Sequence, residues 1–335
     1  MKSILSLAVS LFSTGAFAAA LINGAGASFP YPLYAKWFSD YQKAHPDTQI
    51  NYQSIGSGGG IRQFTQKTVD FGASDAPMTD DQLKDAKAEV VHVPTVLGAV
   101  VVTYNVAGLK GLKLSGEVLG EIFQGTVTKW NDPKIQASNP GVSLPSTPIL
   151  VVHRADGSGT THIFTDYLTK ASTGWKAGAG SAVKWPTGLG GKGNEGVTAL
   201  VKQTPGAVGY VELIYAKSNN LEYAAIQNKD GQFVMPDLKS VTAAAAATKV
   251  PEDFRVSLTN ASGKDSYPIS GFTYLLVWKN APDAAKGAKI KEFLKWAVTD
   301  GQKTASTLHY APLPANVASK VQQKIQGLEK GSKTL

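Results

Sequence analysis

The feature that most restricts this chain is an alternation of strand-like and helix-like segments with small residues crowded at the junctions. Residues 33–44, 61–68, 114–123, 160–168, 197–203, 284–297 and 315–328 carry helical patterns, and the 243–247 alanine run is a good helix former. Residues 49–55, 69–73, 149–153, 207–213 and 272–278 read as strands, and 90–106 as buried strands broken near Gly98. Alternation of this kind argues for an α/β architecture. Tyr34, Trp37, Phe38 and Tyr41 recur at helical spacing and read as core rather than as a ligand platform. Three glycine/serine segments, Gly24 to Phe29, Gly56 to Gly60 and Gly157 to Thr160, fall where strands end. Ligands on open α/β sheets bind at those carboxyl ends.

One junction carries an unusual residue. Lys and Arg total 33, yet only Arg62, Arg154 and Arg255 are arginine. Arg154 opens the run Arg-Ala-Asp-Gly-Ser-Gly-Thr-Thr (154–161) at the start of a helical pattern. A guanidinium offers a rigid fork of donors suited to a tetrahedral oxyanion, where a lysine offers a point charge. Glycines let the backbone approach a ligand, and free amides at a helix N-terminus favour an anion. Ser158, Thr160 and Thr161 add hydroxyls. The stretch has the chemistry of an anion trap.

Residues 1–18 read as a signal peptide. Lys2 is followed by an apolar run from Ile4 to Phe12 and by Ala16-Phe17-Ala18, an A-x-A cleavage pattern. The mature chain is expected to begin at Ala19 in a periplasm, as an exported protein without a membrane span. The chain has no cysteine, which excludes disulfides, thiolate nucleophiles and thiolate metal sites. Roughly 315 remaining residues, in a chain 43% hydrophobic, can bury a full core and suggest two domains. The net charge of +8 comes from lysines scattered in ones and twos, a pattern of solvated surface rather than a nucleic-acid footprint. The histidines (His45, His92, His153, His162 and His309) have no metal-ligand spacing, so no metal or cofactor is expected. Gly188 to Gly193 satisfies G-x-G-x-x-G, but Trp185-Pro186 stands where a strand should precede it. It reads as a loop at a cleft rim.

Several of these segments together resemble a known family. Gly24-Ala-Gly-Ala-Ser-Phe-Pro30, Gly56-Ser-Gly-Gly59, Asp70-Phe-Gly-Ala-Ser-Asp-Ala-Pro77 and Arg154 to Thr160 resemble, in order and spacing, the periplasmic phosphate-binding proteins of phosphate-specific ABC transporters. Lys184 to Asn194 and Pro205 to Glu212 look like the same family, so the likeness spans the mature chain. The resemblance implies a two-lobed type II periplasmic-binding-protein fold that closes a cleft over one phosphate. With two hinge crossings near Thr103 and Ser270, lobe 1 takes residues 19–103 and 270–335 and lobe 2 residues 104–269. The motif match assigns Ser28, Phe29, Ser57 and Asp75 to the phosphate site from lobe 1. It assigns Arg154, Ser158, Gly159 and Thr160 from lobe 2, with Asp156 holding the Arg154 fork. Ser28 stands where a threonine is common, and the hydroxyl survives the exchange. A monomer that delivers phosphate to a membrane ABC permease complex, without enzymatic activity, completes the expectation.

Asp75 is the instructive member, because a carboxylate in an anion site sets like charges against each other. Phosphate near neutrality still carries a proton and can donate it, whereas sulfate has none to give. A site built around a ligand hydroxyl rejects analogues lacking it by about 10⁴-fold or more. On the residues alone, Asp75 equally reads as a turn cap before Ala76-Pro77. Two other functions compete. A receptor for sulfate or molybdate would need no such acceptor, and a phosphatase would pair Ser158 with His162, or use His153. The chain lacks a G-x-S-x-G elbow and any group placed to orient a histidine.

Overall fold

The computed structural model describes residues 19–328, so the signal-peptide segment 1–18 lies outside the described residues. The chain opens with β1 (Ala20–Gly26), α1 (Tyr31–Ala44), β2 (Thr48–Ser54), α2 (Ser57–Thr65) and β3 (Phe71–Ser74). Both β2 and β3 lie parallel to β1. The aromatic stripe of α1 is buried against this unit, as its spacing predicted. Next come α3 (Asp80–Asp85) and the long β4 (Val90–Tyr104), then β5 (Lys113–Leu114), α4 (Gly116–Gln124) and α5 (Pro133–Ala137).

A second parallel unit follows. It contains β6 (Leu150–Arg154), α6 (Gly159–Ala171), β7 (Leu189–Gly191), α7 (Gly193–Gln203), β8 (Ala207–Glu212) and α8 (Leu213–Ser218). Both β7 and β8 run parallel to β6. Short strands β9 (Glu222–Tyr223), β10 (Ala225–Gln227) and β11 (Phe233–Val234) lead to α9 (Leu238–Ala246). The chain then returns through β12 (Ser270–Trp278) to α10 (Ala284–Ala297), α11 (Gln302–Ala305) and α12 (Ala315–Gln326).

The main sheet has the order β2-β1-β3-β12-β4-β8-β6-β7, with β9 also on β4. Strand β4 joins its two halves. Residues Val90 to Ala99 pair antiparallel with β12, whereas Val100 to Tyr104 pair antiparallel with β8. The two parallel units therefore hang on one shared strand.

Several boundaries differ from the sequence reading. No break occurs at Gly98; β4 runs through it, and the glycine serves packing. A Cβ there would lie 2.4 Å from Cζ of Phe29, so this ring lies against the strand backbone. Helix α2 begins at Ser57 rather than Ile61, because the glycines form its first turn. Their lack of side chains admits close backbone neighbours, which a propensity argument counts only as a cost. Helix α7 likewise starts at Gly193, ahead of Val197, and Leu189 to Gly191 forms a strand despite the preceding Trp185-Pro186.

Candidate functional site

The carboxyl ends of β1, β2 and β3 meet those of β6, β7 and β8 across a seam, and helices α2, α6 and α7 begin there. Direct hydrogen bonds cross it. The Gly58 amide donates to the Gly157 carbonyl (2.9 Å) and the Gly159 amide to Ser57 Oγ (3.0 Å). On the other side of the seam, the Asn194 amide and Nδ2 donate to Ser28 Oγ at 3.0 and 2.9 Å. Gly56 caps α2 with φ of 84°, a left-handed conformation that suits glycine, and a Cβ there would stand 2.2 Å from Asp156 Oδ2.

Arg154 ends β6 with its side chain 1% exposed. Its Nε and Nη2 donate to Asp156 Oδ1 and Oδ2 at 2.8 and 2.6 Å, while Nη1 reaches Thr160 Oγ1 at 3.4 Å. One edge of the fork is thus fixed by a carboxylate and the other is aimed at the start of α6. Burial opposes the charge on both partners. Their mutual hydrogen bonds and attraction outweigh it, holding Asp156 below and Arg154 above their ordinary values. Asp156 Oδ1 also accepts from the Gly193 amide (3.1 Å), tying the arginine to α7.

Asp75 follows β3 and is buried. Its Oδ1 accepts from Thr273 Oγ1 (2.8 Å) and its Oδ2 from Ser57 Oγ (3.5 Å). Burial pushes its carboxyl up to about 7, against the opposing pull of Thr273, Arg154 and Ser57. A buried carboxyl that gains or loses a proton near neutrality, beside a buried guanidinium, suits an anion that itself carries a proton.

The predicted residues occupy this seam together. Ser57 is the first residue of α2, and Ser158 is the N-cap of α6, with its Oγ accepting from the Thr161 amide (3.0 Å). Thr160 Oγ1 receives both Arg154 Nη1 and Asn194 Nδ2. Ser28 and Phe29 are buried at the α1 entrance, their carbonyls accepting from Tyr215 Oη and Tyr310 Oη, each at 2.6 Å. His153, by contrast, stacks on Trp185 with ring centroids 4.9 Å apart. Among the described residues no side-chain hydrogen bond joins Ser158 to His162, and no acidic or histidine cluster suits a metal.

Sequence reasoning missed two members. Asn194 is fully buried and reaches Ser28, Thr160 and, through Oδ1, the Glu212 amide (2.9 Å). An asparagine directly after the last glycine of Gly188 to Gly193 was a usable signal. That run is a strand-turn-helix element whose first amides already bond Asp156 and Ser28, rather than a nucleotide loop. Thr273 gave no signal, because a threonine in an apolar strand reads as an ordinary β-former.

Comparison with known proteins agrees with this architecture. Residues 13–301 match the PBP superfamily domain. The phosphate-binding protein PstS of Pasteurella multocida is 48% identical over 329 residues, covering 96% of this chain and 94% of that protein. The PstS of Haemophilus influenzae is 48% identical over 309 residues, covering 90% and 92%. A solved structure, the phosphate-binding protein from Stenotrophomonas maltophilia, superposes with a TM-score of 0.71 at 19% identity over 91% of this chain and 93% of that one. The fold is the two-lobed type II periplasmic-binding-protein fold. Nearly half of the residues are shared with the PstS relatives from end to end, and the chain belongs to the PstS family of phosphate-binding proteins.

Proposed function

We propose that this chain is the receptor of a phosphate importer. It binds inorganic phosphate between its lobes and hands it to a membrane ABC permease complex. The observation that carries this reading is the buried Asp75 carboxyl set beside Arg154 among hydroxyl and amide donors. A fully charged oxyanion such as sulfate would face Asp75 as a second anion. Phosphate brings the proton that turns this repulsion into a hydrogen bond. Ser28, Phe29, Ser57 and Asp75 serve phosphate from one side; Arg154, Ser158, Gly159 and Thr160 serve it from the other, with Asp156 orienting the arginine.

The lobes proposed are residues 19–103 with 270–335, and residues 104–269. The partner change of β4 between Ala99 and Val100, just ahead of Thr103, supports this division. Closure then bends the chain about β4 and the start of β12, and ligand-bridged donors from both lobes favour the closed state. The PstS relatives, named as phosphate-binding proteins, support binding without turnover, and the A-x-A pattern at residues 16–18 supports export to the periplasm after cleavage near Ala18/Ala19; action as a monomer completes the proposal. Neither His153 nor His162 is bonded to Ser158 as a base would be, which weighs against a phosphatase.

The test is calorimetric titration of phosphate, then sulfate, at about pH 8.5, where Asp75 is ionised, into mature protein stripped of ligand by unfolding and refolding. One-to-one phosphate binding without a sulfate response is expected. Equal binding of both anions would replace this reading with a general oxyanion receptor, and binding of neither would overturn it.

Closure itself can be probed at Gly159. A Cβ at this position would lie 2.6 Å from both Asp75 Cβ and Ser57 Oγ across the seam, too close for the lobes to meet. Gly159→Ala is expected to weaken phosphate binding roughly 5- to 150-fold, the effect of an overpacked contact. The melting temperature of the ligand-free protein should change little, because an open cleft would part Gly159 from Asp75 and Ser57. Wild-type affinity in this variant would show that the binding-competent state does not bring α6 against Asp75.

A further inference from the structure

Whether a buried carboxyl can tell phosphate from sulfate depends on where its own proton sits. An ionised carboxylate only accepts, whereas a protonated one can donate to any oxyanion. Something must therefore keep Asp75 an acceptor toward the cleft. Ser57 is a weak candidate. Its Oγ already accepts from the amides of Gly159 and Asp75, and it stands 3.5 Å from Oδ2, at the outer limit of a hydrogen bond.

The stronger contact comes from behind. Strand β12 runs antiparallel to β3 with Tyr274 opposite Ser74, which sets Thr273 beside Asp75. Thr273 is fully buried and donates to Oδ1 at 2.8 Å. The groups behind it are already satisfied. Thr95 Oγ1 donates its one proton to the Thr273 carbonyl (3.2 Å), which leaves Tyr34 Oη to donate to Thr95 (2.8 Å). Tyr34 and Thr95 thus settle each other's bonds, and although the Thr273 hydroxyl also lies near Tyr34, its proton goes to the carboxyl of Asp75 at 2.8 Å.

We propose that Thr273 is a positioning residue for anion specificity: its hydroxyl occupies Oδ1 and holds Asp75 as an acceptor, with Oδ2 on the Ser57–Gly159 side where the lobes meet. The inference rests on the phosphate-receptor reading above. Without the hydroxyl, a fully buried carboxyl loses its best donor, and burial then favours the neutral acid. The neutral acid donates to sulfate as readily as to phosphate. Specificity is lost by admitting the wrong anion rather than by rejecting the right one.

The test uses full-length mature protein as wild type, Thr273→Val and Thr273→Ser, with phosphate and sulfate affinities measured by calorimetry at about pH 9, roughly two units above the value of about 7 to which burial raises Asp75. Valine keeps the branched shape on a buried strand and removes only the hydroxyl; serine keeps the hydroxyl. The ratio of phosphate to sulfate affinity is expected to fall roughly 10- to 100-fold in Thr273→Val, the weight of one hydrogen bond to a charged group. It should stay within about threefold of wild type in Thr273→Ser. A merely structural role would lower both affinities together and leave their ratio unchanged, and that result overturns the inference. If Thr273→Val does not unfold cooperatively, Thr273→Ala carries the same comparison. Wild type separates the two levels of the argument. A wild type that does not discriminate sinks the receptor reading itself, whereas a discriminating wild type with an unchanged valine variant sinks only the role of Thr273.

Discussion

Replacing Arg154 by alanine is expected to weaken phosphate binding by roughly 30- to 5000-fold. That range corresponds to the ~2–5 kcal/mol lost when one partner of a buried, hydrogen-bonded charge pair is truncated, at about 1.4 kcal/mol per tenfold. The guanidinium spends one edge on Asp156 and directs the other toward Thr160, so in the proposed role it would meet the ligand already ordered. Arg154→Lys retains the charge but has no second edge. An ammonium that satisfies Asp156 is a poorer partner for the ligand, and an intermediate loss of at least about tenfold is expected. Calorimetry on all three proteins, with thermal melts as a folding control, gives the ranking wild type, lysine, alanine. An alanine variant with unchanged affinity would remove Arg154 from the site altogether.

The α/β alternation was legible because helical and strand periods differ and glycine-rich junctions separate them. The aromatic stripe of α1 and the strands 149–153, 207–213 and 272–278 were placed within a few residues by that logic. Reading failed where glycine acts through absence. Gly98 looked like a strand break but makes room for Phe29, and Gly58 to Gly60 looked like a loop but begin a helix packed against a neighbouring backbone. Of the candidate site residues, Arg154 and the small residues after it stood out by their local chemistry, whereas Ser28, Phe29, Ser57 and Asp75 were assigned by the family resemblance. Asn194 and Thr273 were not singled out, since their roles arise from partners 166 and 198 residues away in sequence. The partner change of β4 was equally hidden, because a continuous apolar strand carries no mark of which neighbour each half will choose.

Asp75→Asn is expected to bind phosphate and sulfate with comparable affinity, because the amide can donate to either anion and carries no charge to repel the second. The pH dependence makes the prediction sharper. In the empty wild-type cleft, burial raises the Asp75 carboxyl to about 7. Below that value it is a neutral donor, and sulfate should be tolerated; above it the carboxylate repels sulfate, whose binding then requires uptake of a proton. Wild-type sulfate affinity should therefore fall about tenfold per pH unit on the alkaline side, whereas in Asp75→Asn it should be flat. Stability has the same origin. A carboxyl whose folded value is raised supports the fold fully at acid pH, and this support is lost as pH rises from the ordinary carboxylate range through about 7. The ligand-free asparagine variant should accordingly melt above wild type on the alkaline side of neutrality, and this advantage should shrink on acidification. Sulfate titrations and melts at about pH 5.5 and about pH 8.5, either side of the carboxyl's transition, test both consequences. A wild type that excludes sulfate equally at both values would mean that Asp75 is charged throughout. Selectivity would then come from the shape of the cleft rather than from a proton.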